Sequence, residues 1–117
     1  MENDCLEMPL FIACLLFLVL VLAQTDMALA SSQEEFTKYM EIWDAKKELA
    51  SKSLQEAETE FKAGDELSGC AAQQIAGEYG IEATKALIKA MKINGSTDGL
   101  ENIESGLRKW RELKDFC

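Results

Sequence analysis

Apolar residues follow two regimes along this chain. From Leu10 to Ala23 they form an unbroken run without charge (LFIACLLFLVLVLA), whereas beyond Ser31 they recur at intervals of three and four residues. The first regime is shorter than the roughly 20 apolar residues of a membrane span and fits the roughly 7 to 15 of a secretory signal core. Ala28-Leu29-Ala30 before Ser31 is a small-x-small cleavage site, and Val21-Leu22-Ala23 before Gln24 is a second. Residues 1–30 are therefore expected to be a signal peptide, cleaved after Ala23 or Ala30. The segment before the run departs from the usual pattern: it carries Glu2, Asp4 and Glu7 and no basic residue, where signals begin with positive charge. An uncleaved signal-anchor is the alternative, but Thr25 and Asp26 end the run early for a span.

The second regime is helical. Phe36, Met40, Trp43, Lys47, Ala50, Leu54, Ala57 and Phe61 are spaced alternately by four and three residues, with only Lys47 polar. This places one apolar stripe on a long amphipathic helix from about Gln33 to Ala63. Ser31 or Ser32 is positioned to cap its start, and Gly64 to end it in the left-handed conformation. Gly69, Gly77 and Gly80 each weaken a helix by about 1 kcal/mol relative to Ala. They suggest a shorter helix over Glu66–Tyr79 and another over Ile81–Ile93, or one kinked helix in their place. Leu67, Ala71 and Ile75 mark the first inner face, and Ile81, Leu87, Ile88 and Met91 the second, leaving Glu82, Lys85, Lys89 and Lys92 for water.

Asn94-Gly95-Ser96-Thr97 reads as a turn, followed by Asp98 and Glu101 in the spacing of a capping box. A last helix follows, with the stripe Leu100, Ile103, Leu107, Trp110 and Leu113 and with basic residues towards its C-terminal end. The expected fold is all-α: one domain, 31–117, in which the later helices fold back along the long N-terminal one as a bundle of three to four helices. Composition agrees with this. Residues 31–117 contain no Val and no Pro and are rich in Ala, Glu, Lys and Leu, the residue choice of helices.

Charge and residue types exclude several classes of function. The chain holds 21 acidic and 12 basic residues, a net charge of -9; removing residues 1–30 takes away four acids and no base, leaving -5. That balance opposes a nucleic-acid partner, which needs a dense basic surface. It equally opposes a membrane-lytic helix. With no His in the chain, Ser-His-Asp and Cys-His nucleophile systems and most zinc sites are excluded. The acidic run Glu56, Glu58, Glu60, Asp65 and Glu66 reads as a solvated face, since residues two apart on a helix diverge. No catalytic constellation, metal site or cofactor site is expected.

Three smaller signals remain. Cys70 and Cys117 are the two cysteines left after cleavage, and in an oxidising compartment an even count implies a bridge. Closed within the chain it restrains the unfolded state by about 4 kcal/mol, and a bridge to a second copy is the alternative. Asn94-Gly95-Ser96 is an N-glycosylation acceptor in an exposed turn. The same turn places Asn94, Ser96, Asp98 and Gly99 at positions 1, 3, 5 and 6 of a calcium loop, but position 12 is Ser105 and not Glu. A capped helix-helix turn is the expected reading.

The expected protein is a small secreted acidic helical domain that acts outside the cell by binding a protein partner or receptor. In class it resembles the small helical proteins of saliva, venom and reproductive fluid, including disulfide-linked carriers of the secretoglobin kind, although no cysteine spacing ties it to one family. Its candidate partner face comprises Met40, Trp43, Phe61, Met91 and Trp110. Together with Phe116 these residues carry the alternative, a pocket for a hydrophobic small molecule. Lys47 within the stripe either sets register for a helical partner or a second copy, or snorkels from the edge of an ordinary core; the second is preferred.

Overall fold

The structure, a computed structural model, describes the helical backbone from residue 2 and the side chains from residue 31 onward. It contains three α-helices, α1 (Glu2–Lys62), α2 (Glu66–Ile93) and α3 (Leu100–Asp115), with no strand among the described residues. The chain divides into two units, Met1–Glu34 and Glu35–Cys117; the packing below belongs to the second. The expected signal peptide and its cleavage sites lie outside the residues whose side chains are described. Ser31 and Ser32 do not cap a helix start, because both lie inside α1.

The turn between α1 and α2 is built by three residues. Gly64 has φ 84°, its N–H donates to the Phe61 carbonyl at 3.1 Å, and the Asp65 N–H donates to the Glu60 carbonyl at 2.9 Å. These are the two bonds of a Schellman motif, and the positive φ is one a side chain with a Cβ would resist. Asp65 then caps α2: one carboxylate oxygen accepts from the Ser68 N–H at 3.0 Å and the other from the Ser68 hydroxyl at 2.8 Å. Reversal within Ala63-Gly64-Asp65 makes α1 and α2 antiparallel neighbours. Phe61 thereby lies on Gly69 and Lys46 reaches Glu82. The second turn repeats the pattern, with Gly95 at φ 70° donating to the Lys92 carbonyl and Ser96 to the Met91 carbonyl.

α2 is one continuous helix through Gly69, Gly77 and Gly80, and the break expected at Gly80 does not occur. The reason is where these glycines point. A Cβ built on Gly69 would lie 2.7 Å from the Phe61 ring, one on Gly77 would lie 2.9 Å from Lys114 Cα, and one on Gly80 would collide with the Trp110 indole. All three are buried, so the neighbouring helices occupy the space that side chains would fill. Their intrinsic cost is offset by dispersion contacts that only a bare backbone allows.

The rest of the core follows the same rule. Its buried apolar residues are all alanines, among them Ala50 and Ala57 on α1 and Ala76, Ala83 and Ala90 on α2. The inner face of α2 is therefore rotated from the expected one. Leu67 and Ile75, read as inner, are 88% and 47% exposed, and Ala71 between them is exposed as well. Large side chains would hold the helices apart, so the small ones line the contact. The stripe of α1 shifts in the same sense: Ser53 is buried while Leu54 is half-buried.

α3 packs antiparallel on another face of α2. Leu100, Ile103, Leu107, Trp110 and Leu113 form its inner stripe as expected, but each is only half-buried. Besides Trp110 on Gly80, the buried Gln73 donates from Nε2 to the Leu113 carbonyl at 3.1 Å. The expected capping box does not form. Gly99, at φ 80°, occupies the cap position without a side-chain hydrogen bond, which moves the helix start one residue past Asp98.

Two measurements check this packing. Gly80→Ala is expected to lower stability by about 1–3 kcal/mol, because the added methyl overpacks Trp110. Gly106→Ala, with nothing within 4 Å of its new Cβ, is expected to raise it by up to about 1 kcal/mol; urea unfolding reads both. For the Asp65 cap, the bond from the Ser68 backbone, then that from its hydroxyl, holds the carboxyl below its ordinary 3.8. The cap is then intact above that ordinary value and is lost as pH falls through the lower folded value. A carboxyl-carbon NMR titration should place the Asp65 midpoint below 3.8, with the Ser68 amide following the same curve.

Candidate functional site

The chain ends on its own middle helix. Cys70 and Cys117 form a disulfide with Cα atoms 5.6 Å apart and a sequence separation of 47 residues. Cys70 is half-buried on α2, and Cys117 lies two residues past the end of α3. The pairing is within the chain, so the bridge clamps α3 against α2 beside the hydrogen bond from Gln73 to Leu113.

The charged and aromatic residues of the α1–α2 pair interact across the helices more than the sequence reading allowed. Lys46 Nζ lies 2.9 Å from Glu82 and 5.3 Å from the centre of the Tyr79 ring. The hydrogen bond that the Lys46 ammonium donates to the Glu82 carboxylate holds it above its ordinary 10.5; desolvation opposes this, and the charges of Glu82 and Tyr79 add to it. Lys89 likewise lies 5.4 Å from the centre of the Tyr39 ring. Glu82 and Lys89 are solvent-exposed as expected, yet both reach across to α1. The signal was available: Lys46 and Glu82 stand equally far before and after Gly64, and so do Tyr39 and Lys89. An antiparallel pair that turns at Gly64 brings both couples face to face.

Lys47, by contrast, stays on its own helix. Its Nζ lies 4.1 Å from the centre of the Trp43 ring and 3.5 Å from Asp44. This is the snorkelling position at the edge of the packed face.

The expected partner face is not gathered around one cavity. Phe61 covers Gly69 at the α1–α2 turn, and Trp110 covers Gly80 on the α3 side of α2. Met40, Trp43 and Met91 are half-buried. Phe116, 83% exposed, lines an open groove of about 330 Å³ with Gln73, Lys109 and Leu113. A larger groove, about 580 Å³, runs between α1 and α2. Its walls include Lys52, Glu56 and Glu60 from α1 and Ala71, Ala72 and Ile75 from α2. This groove was missed because Ala71 and Ile75 read as core; the exposed side of α2 became visible only once its small-residue seam was known.

Asn94 is exposed at the C-terminal cap of α2, where its N–H donates to the Ala90 carbonyl at 3.1 Å. The acceptor triplet therefore lies in a turn, as expected. Among residues 31–117 no cluster of three His, Cys, Asp or Glu side chains is placed to hold a metal ion, and within these residues no helix is long and apolar enough to cross a membrane. No family model matches the chain, and neither a curated protein nor a solved structure matches it.

The bridge supplies a direct measurement. Cys70→Ser/Cys117→Ser, or reduction of the wild-type chain, is expected to lower unfolding stability by about 2–4 kcal/mol. Urea unfolding with and without reductant checks this, and the double variant should lose its sensitivity to reductant.

Proposed function

We propose that this chain is exported, loses residues 1–30, and acts outside the cell as an oxidised helical domain that binds another protein. The observation that carries the reading is the Cys70–Cys117 pairing. It uses both cysteines left after the proposed cleavage, and disulfides of this kind persist in oxidising compartments. The second structural unit, which begins at Glu35, supports the same boundary, since it starts close behind Ala30.

Binding is favoured over catalysis by the surface. Large apolar side chains are displayed on it, Leu67 and Phe116 most fully. The packing of Phe61 and Trp110 against glycines supports a protein surface over an enclosed carrier pocket. In a eukaryotic secretory route the exposed Asn94 would carry a glycan.

Intact mass of the chain secreted by eukaryotic cells expressing the full sequence tests all of this together. The expected product begins at Gln24 or Ser31, lacks the two hydrogens of a dithiol, and carries a glycan mass that Asn94→Gln removes. Recovery of the full-length chain inside the cell, with Cys70 and Cys117 open to alkylation, would overturn the reading.

A further inference from the structure

We infer that the groove between α1 and α2 docks a cationic amphipathic helix of another protein. The inference rests on the binding function proposed above and gives the partner a chemistry. The first observation is an apolar ridge without cover: Leu67, Ala71 and Ile75 follow one another at intervals of four residues along α2, and all are exposed. Side chains so spaced share one face of a helix. Ala71 and Ile75 form one wall of the groove, whose floor is the buried Ala72.

The second observation is charge. Glu56 and Glu60 stand one turn apart on the opposite wall, and neither has a cation within ion-pair distance among the described residues, whereas Glu58 is held by Lys62 at 2.9 Å. Asp65 and Glu66 add acid at the same end of the helix pair, and Lys52 is the base on the wall. A groove with unpaired carboxylates along its α1 wall and Ala71 and Ile75 along its α2 wall is complementary to a helix with Leu or Ile on one side and Lys or Arg beside them. The walls set the length of contact. Lys52 to Glu60 and Leu67 to Ile75 each span about 12 Å, roughly two helical turns, enough for apolar anchors at i, i+4 and i+7.

A second copy of this chain is a poorer match. α3 carries the densest basic residues, Arg108, Lys109, Arg111 and Lys114, but it holds as many acids, and its apolar stripe is already turned towards α2.

The test uses the full oxidised chain and two fluorescein-labelled synthetic helices of about 18 residues. Both carry Leu at i, i+3, i+4 and i+7; one has Lys at its margins and the other Glu. Fluorescence anisotropy is expected to show saturable binding of the Lys peptide, weakened by added salt, and none of the Glu peptide. Ile75→Lys and the double variant Glu56→Lys/Glu60→Lys are each expected to weaken binding at least about tenfold. Unchanged helical circular dichroism and thermal midpoints would show that these surface changes leave the fold intact. Absence of Lys-peptide binding, or equal binding to wild type and both variants, would overturn the inference. So would a concentration-dependent dimer in sedimentation that Ile75→Lys dissolves, since the groove would then be a self-contact. Failure here leaves the export and mass result standing, and failure of export leaves the groove measurement standing.

Discussion

Close approach of helices to α2 is the constraint on which the rest of this structure depends. Two helices press on one that offers almost no side chain: Phe61 and Trp110 rest where Gly69 and Gly80 have no Cβ, and the backbone of Lys114 passes over Gly77. Alanines fill the remaining contact line. Such a seam gains dispersion contacts between backbones, but each alanine removes little apolar area from water, and area sets the hydrophobic contribution. The domain therefore has dense contact and a thin core. This makes the Cys70–Cys117 bridge matter more than it would in a domain of the same size centred on Leu and Phe, because a restraint of a few kcal/mol is a large fraction of what small cores supply.

Much of the fold was legible in the sequence where one-dimensional rules govern it. Gly64 ends α1 because only glycine accepts the left-handed turn cheaply. The 94–97 turn and the α3 stripe from Leu100 to Leu113 followed from composition and periodicity. The errors share one origin. Hydrophobic size points Leu67 and Ile75 to the interior, and the helix cost of glycine points to a break at Gly80. In a seam of small residues both expectations reverse, and Gly69, Gly77 and Gly80 are buried while Leu67 and Ile75 are exposed. Nothing local distinguishes a glycine that breaks a helix from one that admits a neighbour; Trp110, thirty residues downstream of Gly80, decides it. The capping box at Asp98 failed for a related reason, since Gly99 took the cap position first.

The candidate site was less legible than the fold. Trp43, Trp110 and Phe61 were singled out as large and aromatic, yet Trp110 and Phe61 are engaged in packing and Trp43 holds Lys47. What the sequence could have yielded is the set of couples related through Gly64, Lys46 with Glu82 and Tyr39 with Lys89. These cross-helix contacts are exposed and so worth little individually. Their effect is on register: together with the turn they favour one alignment of α1 on α2, which an alanine seam, being nearly uniform along its length, does not specify by itself.

Surface character follows from the same geometry. When the buried helix contacts are made by Ala and Gly with a few small or polar residues such as Ser53, Gln73 and Thr84, the large apolar residues must go to the edges of the seam or outside it. The stripe of α3 is half-buried throughout, and Leu67, Ile75 and Phe116 face water. A domain that shields its apolar surface poorly is prone to self-association unless charge opposes it, and the acidic excess of residues 31–117 provides that opposition. The same excess makes the exposed apolar ridge selective. Another acidic copy would be repelled, whereas the cationic helix proposed above would be attracted before contact and covered after it. Helix spacing in the interior and the exposed apolar ridge at the surface are thus joined consequences of placing the smallest residues where the helices meet.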